Sequence, residues 1–514
     1  MAKAFPRLNV GSAHQVAALA LAVAVSACVP GSGTLPAPRS EAGPAPVAAN
    51  AAQSIPAVVG AEWPVDGWWH RFGDPQLDAL VEEGLAGSPD LAAAVARLRK
   101  SAALAGEARS ALLPTLDVRG SAGESRVTLN QGFEDPAFKR FLPQGWNDTG
   151  ELAASLGFDP DLFGANRARL AAARRERDAA AVEARAARLT IAAAITDAYF
   201  DLAGRIATRD LRRAIVENRD QTRKLVVDRR EQGLDNLATQ RLTESNAAVS
   251  RLDLAAADEA VLLRRHQIAA LIGAGPDRGL AIAPPKLAPV APSPLPDGVT
   301  AGLAGRRADI VAARLRMEGA AARVRAARAD FYPDIRLSAL LGFQTVGLGL
   351  LLDHDSQFGN ATGAVSLPIF HGGQLRARHA GARADYDAAV AGYDRTVVGA
   401  YQQLADAVAI RASLSRRLAD SDAAASAAED SLRIARLRFR AGLGTYVDVL
   451  IAENQAIDVR LRRAAIDTMW RSAEVALVRA LGGGFDPATA AAKTGAAMTA
   501  AVPSSQPSSG KPAA

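Results

Sequence analysis

An internal duplication is the feature that most constrains this chain. Residues of the first half recur in the same order in the second half, at an interval of about 209 positions. A length of 514 residues could hold several unrelated domains. The duplication instead predicts two equivalent halves, each with two short alternating segments and two long helical segments. The matched residues include Gly233 with Gly442, Glu244 with Glu453, Gly273 with Gly482, and Arg167 with Arg376.

The N-terminus has the pattern of a secretory signal. A basic start with Lys3 and Arg7 precedes an apolar run from 16 to 25. The next residues, Val25–Cys28, resemble the end of a bacterial lipoprotein signal, in which small residues precede a cysteine that is cleaved and lipidated. The alternative is an ordinary signal peptide with an incidental cysteine. Cys28 is the only cysteine, so no disulfide can form within the chain.

Composition and the duplication together divide the chain into six segments. Stretches rich in proline, alanine, glycine and serine predict a flexible tether near the N-terminus, a linker between the halves and a disordered tail. We predict a signal peptide at 1–27, a lipidated N-terminus and linker at 28–62, a first repeat at 63–283, a Pro-rich linker at 284–298, a second repeat at 299–484 and a disordered tail at 485–514.

Four segments alternate between apolar and polar or small residues with a period of two, which is typical of strands that separate two environments. After the signal, no run of about 18 apolar residues could form a membrane-spanning helix. Any membrane span must therefore be a β-barrel. Strands of a small soluble sheet are the alternative. The segments are Thr115–Ala122, Glu151–Phe158, Asp334–Leu340 and Asn360–Leu367.

Long stretches without proline predict unusually long helices. A helix of about 67 residues would span roughly 100 Å, so it must lie against other long helices or form a rod or tube. A soluble helical bundle or filament is the alternative. The predicted helices are Pro89–Leu112, Ala165–Glu231, Asn236–Ile272, Arg307–Phe331, Gln374–Arg440 and Thr445–Leu481.

Several functional classes are disfavoured by the sequence. The net charge of +6 is small and dispersed, and no basic patch is interleaved with aromatic residues, so we expect no nucleic-acid partner. The histidines have no metal-ligand spacing, and no nucleophile, phosphate-loop or triad motif is present. We therefore expect no enzyme, no metal site, no catalytic residue and no cofactor other than a covalent lipid on Cys28.

Four strands are too few to close a membrane barrel, for which about eight is the observed minimum. An open sheet edge in lipid would leave backbone groups unpaired at several kcal/mol each. If these strands span a membrane, several copies of the chain must share one barrel, and a lumen wide enough for solutes favours three or more copies.

Four motifs, taken in order, resemble those of the TolC-like outer-membrane factors, in the lipoprotein branch of NodT and OprM type that serves multidrug efflux. Together they span the chain from about 63 to 484. In the last motif, Ala308 replaces the usual proline. The motifs are Gly67–Leu77, Ser88–Leu91, Phe158–Gly164 and Arg306–Ile310.

The resemblance implies an α+β membrane protein with an internal two-fold repeat. It implies a trimer whose 12-stranded β-barrel, four strands per chain, is continuous with a long periplasmic α-helical barrel. The expected function is the outer-membrane exit duct of a tripartite efflux pump, which conducts small molecules passively from periplasm to exterior. Expected partners are a periplasmic adaptor protein, a proton-driven inner-membrane pump and outer-membrane lipid. The expected location is the cell outer membrane, lipid-anchored and extending into the periplasm.

Two other functions stay open: an outer-membrane duct for secreted proteins, and a structural envelope lipoprotein without a channel. For the duct, the resemblance implies that the two helical turns form the periplasmic tip where an adaptor docks. It also implies that Asp448 lines the channel constriction, where three copies would form an acidic ring. The alternative for Asp448 is a surface residue favoured by the helix dipole. The tip residues are Gly233, Leu234, Asp235, Gly442, Leu443, Gly444 and Thr445.

Overall fold

The computed structural model describes residues 34–38, 51, 53–55, 62–128, 143–288, 292–297 and 299–486. The predicted signal peptide and the lipidation site Cys28 lie outside these residues, as does the tail beyond Asp486.

Helices dominate the described part of the chain, and the two longest have the predicted bounds, with 67 residues each. The other long helices differ from the prediction by one or two residues at their ends. Several shorter helices were not predicted. They are the α-helices Pro75–Gly87, Pro276–Leu280 and Val299–Arg306 and the 3₁₀ turns Trp68–Phe72, Leu348–Leu350 and His354–Ser356. The α-helices are α1 (Pro75–Gly87), α2 (Pro89–Ser110), α3 (Ala165–Glu231), α4 (Leu237–Leu271), α5 (Pro276–Leu280), α6 (Val299–Arg306), α7 (Ala308–Ala329), α8 (Gln374–Arg440) and α9 (Tyr446–Ala480).

The structure divides into two compact units. The first is formed mainly by Arg99–Asp178 and Leu315–Ala391 and contains one antiparallel sheet with strand order β1-β2-β3-β4. Each of the four strands extends further than predicted at one end, and the fourth ends at Ser366, one residue before the predicted Leu367. The strands are β1 (Thr115–Ser125), β2 (Asn147–Phe158), β3 (Asp334–Val346) and β4 (Gln357–Ser366).

The sheet has one apolar face and one polar face. Residues directly opposite each other in an antiparallel pair share a face, so the register assigns every side chain. This division agrees with the predicted alternation. The apolar face carries Leu116, Val118, Leu152, Leu156, Leu337, Leu341 and Val365, which are solvent-exposed in the single chain. The polar face carries Asp117, Arg119, Glu151, Arg336 and Thr362.

The junction between β2 and α3 is organised by Asp161. Its backbone is left-handed, with φ of 49°. The carboxylate accepts hydrogen bonds from the backbone N–H groups of Asn166 and Arg167, at 2.8 and 2.9 Å, and so satisfies donors that the first turn of a helix leaves free. The motif Phe158–Gly164 therefore has a structural role, because its Asp161 caps the start of α3.

The second unit comprises the described residues within Ala37–Leu98, Ala179–Arg314 and Gly392–Ala514. Trp68, Trp69 and Phe72 pack in its core against the apolar face of α3 around Tyr199 and Phe200. Among the described residues, no helix combines the length and apolarity needed to cross a membrane.

The double-arginine motif also lies in this second unit. Arg307 is buried and donates to Gln403 at 2.8 Å and to the carbonyl of Ala480 at 3.2 Å, while pairing with Asp309 at 2.6 Å. Helix α7 begins at Ala308, where the related pattern has proline. The motif therefore ties the start of α7 to the end of α9.

Candidate functional site

The turn between α3 and α4 ends the first helical hairpin. Gly233 has φ of +73°, a conformation that glycine adopts without steric cost. The backbone N–H of Leu234 donates to the carbonyl of Arg229 at 2.8 Å, and that of Gly233 to Arg230 at 2.9 Å. These two bonds define a Schellman motif. The next helix is capped by Asn236, whose side chain accepts from the backbone N–H of Thr239.

The turn between α8 and α9 repeats this geometry. Gly442 has the same φ of +73°, and Leu443 donates to Arg438 at 2.8 Å. Both turns expose a leucine at their tip, Leu234 at 61% and Leu443 at 71%. The predicted tip residues therefore form two matching turns, each with one exposed leucine side chain.

The two hairpins contact each other next to these turns. The guanidinium of Arg229 lies 5.0 Å from the ring centroid of Phe439, within the range of a cation–π interaction. Arg229 also approaches Asp235 at 3.6 Å. Asp235 is thus held by an arginine of its own hairpin, while Phe439 is covered by the neighbouring one.

Asp448 belongs to a reciprocal capping box at the start of α9. Its Oδ2 accepts from the backbone N–H and the hydroxyl of Thr445, at 2.8 and 2.9 Å, and its own N–H donates to that hydroxyl at 3.3 Å. The backbone bond from Thr445, followed by the side-chain bond, holds the pKa of Asp448 below its usual value. The side chain is exposed. The carboxylate is therefore ionised at neutral pH, and its structural role is to cap the start of α9.

A buried ion network that was not predicted from the sequence joins the hairpins at Glu453. Glu453 on α9 is 4% exposed; its carboxylate lies 3.2 Å from Arg436 on α8 and 3.9 Å from Arg219 on α3. Arg219 also donates to Asn454 at 3.0 Å and to the carbonyl of Asn246 at 3.1 Å. The network therefore joins helices of both hairpins. The recurrence of Glu244 and Glu453 was the only sequence signal for it.

Glu244, the counterpart in the first half, has a different environment. Its side chain is 31% exposed, and the carboxylate pairs within its own helix with Gln240 at 2.8 Å and Arg241 at 2.7 Å. Hydrogen bonds from Gln240, then Arg241, lower the pKa of Glu244. The same residue type at matched positions is thus a partly exposed group paired within one helix in the first half, and a buried connection between helices in the second.

Cys28 lies outside the described residues. Within the described ranges, no group of three or more histidine, cysteine, aspartate or glutamate side chains is arranged to hold a metal ion.

Comparison with known sequences assigns the family. The family described as outer membrane efflux protein matches residues 80–274 and 302–483, which is more than half of the chain. The protein therefore belongs to the outer membrane efflux protein family, the TolC-like outer-membrane factors. Its members are channels for efflux at the outer membrane.

Individual relatives agree with this assignment. The chain is 34% identical over 352 residues to the fusaric acid resistance protein FusA of Burkholderia cepacia, covering 66% of this chain and 64% of that protein, less than two thirds of its length. It is 28% identical over 449 residues to the multidrug resistance outer membrane protein MdtQ of Escherichia coli O157:H7, covering 85% and 92%.

A solved structure is also similar. The outer membrane protein VceC of Vibrio cholerae is 38% identical, with a TM-score of 0.76, covering 82% of this chain and 100% of that one. This similarity extends the family assignment to the fold of the single chain.

Proposed function

We propose that the protein is the outer-membrane exit duct of a tripartite efflux pump, built from three copies of the chain. Each copy contributes four strands to one 12-stranded barrel and its long helices to a periplasmic helical barrel beneath it. Small molecules cross passively, and an inner-membrane pump, driven by protons, supplies the energy. The named relatives in fusaric acid and multidrug resistance support efflux of small molecules over protein secretion.

The observation that carries this proposal is the two-faced sheet with two free edges. Its apolar face suits lipid, and its polar face suits a water-filled lumen. Within the described residues, β1 and β4 are each paired on one side only. In a membrane these edges must be paired, because each unsatisfied backbone group costs several kcal/mol. Closure by further copies of the same chain satisfies them without any other protein.

Matched element lengths support a two-fold repeat within each chain. α2 and α7 both have 22 residues, α3 and α8 both have 67, and α4 and α9 both have 35. Chance similarity of three helix pairs in the same order is a poor explanation. A repeat of this kind places two equivalent hairpins per chain around the wall of a helical tube.

The two hairpin turns are the proposed docking points for the periplasmic adaptor. Their matching backbone and exposed Leu234 and Leu443 support a repeated contact by one type of partner surface. Replacing both leucines by serine should abolish co-purification of the adaptor and leave the oligomer intact. Retained co-purification would contradict this assignment.

Asp448 is the proposed acidic constriction. Asp448→Asn is the sharpest variant, because an asparagine can still accept the bonds from Thr445, as Asn236 does from Thr239 in the first hairpin. It removes the charge and keeps the cap. We expect lower cation selectivity of the single channel, and unchanged selectivity would rule out the ring. Asp448→Ala, which removes charge and cap together, controls for damage to the turn.

We further propose that Cys28 carries a covalent lipid that anchors the mature N-terminus in the outer membrane. The small residues before it support this assignment. Mass spectrometry of the mature protein should find acyl chains on the cysteine, and Cys28→Ala should remove them. An unmodified cysteine, or cleavage at another position, would contradict the assignment.

Reconstitution tests the function as a whole. Purified protein should run as a heat-labile oligomer and conduct ions across a planar lipid bilayer. A structural envelope lipoprotein would show neither property. Conductance that persists after the protein is boiled would show that the signal does not come from the folded duct.

A further inference from the structure

We infer that β4 of one chain pairs with β1 of a second copy in one defined register, in which Ala364 lies opposite the partner's Ser121. The inference rests on the proposed function, which requires the two free sheet edges to meet. The inference names the residue pairs at the seam, by which we mean the junction of β4 in one chain with β1 in the next. These pairs follow from the internal duplication and the observed registers.

The first step is a correspondence between the two halves. β1 and β3 both begin directly after a proline, Pro114 and Pro333, so Thr115 corresponds to Asp334. Similarly, α3 and α8 have equal lengths, so positions preceding them correspond by their distance from Ala165 and Gln374. By this count Gly157 on β2 corresponds to Ser366 on β4.

The observed hairpins test this correspondence independently. Thr115 pairs with Gly157 in the first half, which predicts that Asp334 pairs with Ser366 in the second. The sheet contains that pair. The two hairpins therefore share one register, although their strands were matched by different neighbouring features.

The second step continues the same rule around the sheet. β2 pairs with β3 through Gly157 with Ser338 and Ser155 with Leu340. The counterparts of β2 residues lie on β4, and the counterparts of β3 residues lie on β1. The junction between halves thus predicts the junction between chains: Ser366 opposite the partner's Arg119, and Ala364 opposite the partner's Ser121.

The side chains fit this register. Val365 and Gly363 of the apolar face meet the partner's Gly120 and the partner's Ala122, which belong to the same face. A slip by one residue would put polar side chains among apolar ones across the seam. Slips by two residues preserve the faces and are the real competitors, so the experiment must separate registers that differ by two.

Disulfide trapping has the required resolution. Directly opposed residues in antiparallel strands have Cα atoms about 4.5 to 5.5 Å apart, within the range of about 4.4 to 6.8 Å that a disulfide allows. Diagonal neighbours, at about 7 to 8 Å, lie beyond it. Cys28 is the only native cysteine, so single-cysteine variants reveal any contribution from it.

The test uses the full chain in the membrane with two designed pairs, Ser121→Cys with Ala364→Cys and Ala122→Cys with Gly363→Cys. The pairs are adjacent, so one is of the hydrogen-bonded type and the other is not. The matched control, Gly123→Cys with Ala364→Cys, represents a register shifted by two. After oxidation and boiling, we expect reducible covalent multimers, up to a closed ring, for both designed pairs and none for the control.

Multimers from the control pair alone would overturn the register and leave the proposed duct intact. The same holds if no pair cross-links while the wild-type protein is oligomeric and conducts. Absence of any oligomer in the wild-type protein would instead refute the proposed function, and the seam with it.

Discussion

The buried carboxylate of Glu453 allows a quantitative test of what holds the two hairpins together. Its side chain is 6% exposed and contacts Arg436, which is 33% exposed, and Arg219, which is 12% exposed. Glu453→Ala leaves two guanidinium groups without this partner. Removing one member of a buried pair costs about 3 to 5 kcal/mol. Arg436 is partly solvated and Arg219 keeps two other acceptors, so we expect a loss of about 3 kcal/mol, at the low end of that range.

Hydrogen exchange measures this loss where it occurs, because local opening does not require the whole protein to unfold. At 1.36 kcal/mol per factor of ten, 3 kcal/mol corresponds to roughly hundredfold faster exchange. We expect that acceleration for amides of α9 near Tyr446, Val449 and Ala456, which form one core with α8. Glu453→Gln should have a smaller effect, because it retains a neutral acceptor.

Glu244→Ala is the matched control, since it removes the corresponding carboxylate from a partly exposed site where its partners lie on the same helix. Its effect on exchange should be small. Exchange near the wild-type rate in Glu453→Ala, or equal acceleration in the two variants, would show that the ion network does not hold α9 to its neighbours.

The turns and the sheet can be tested separately by substitution and by pH. Gly233→Ala and Gly442→Ala should each destabilise the turn by about 1 to 2 kcal/mol, the cost of a left-handed alanine. No steric clash adds to this cost, because no neighbouring atom lies within 4 Å of the new methyl group. Hydrogen exchange at the turns measures the loss, and equal exchange rates in variant and wild type would contradict it. Leu341→Arg, on the apolar face, should cost about 2 to 4 kcal/mol in lipid and reduce the amount of protein in the outer membrane. Ser338→Arg, on the polar face, should leave that amount unchanged. Equal amounts of the two variants would contradict the assignment of faces. Because the pKa of Asp448 is lowered in the folded protein, its ionised carboxylate stabilises the turn fully above about pH 3.8, the ordinary pKa, and loses this effect as pH falls through the lowered pKa. Hydrogen exchange of the turn amides, corrected for intrinsic rates, should therefore show more opening at pH 3 than at pH 5. Asp448→Asn should remove that difference.

The bounds of the long helices could be predicted because the signals are local. No proline interrupts Ala165–Glu231 or Gln374–Arg440, and glycine follows each helix closely at Gly233 and Gly442. The ends of the strands were less accurate, since the alternation weakens towards them. Gly342 in β3 is an example. It lies against the backbone of Ala153, where a side chain would not fit, so it adds no polar or apolar signal to the alternation.

The ion network could not be predicted in the same way. Arg219 and Glu453 are far apart in sequence, and arginine and glutamate are common in these helices, so spacing does not identify the pair. For Asp448 the sequence analysis offered a constriction residue or a surface residue favoured by the helix dipole. The structure adds a third contact that was not predicted, a reciprocal capping box with Thr445 that engages the same carboxylate.

If the four strands span a membrane, several copies of this chain must share one barrel, because four strands cannot close a wall alone. Native mass spectrometry of the detergent-extracted protein counts the copies. We expect a mass of three chains. A protein that is monomeric under conditions that preserve its fold would contradict it.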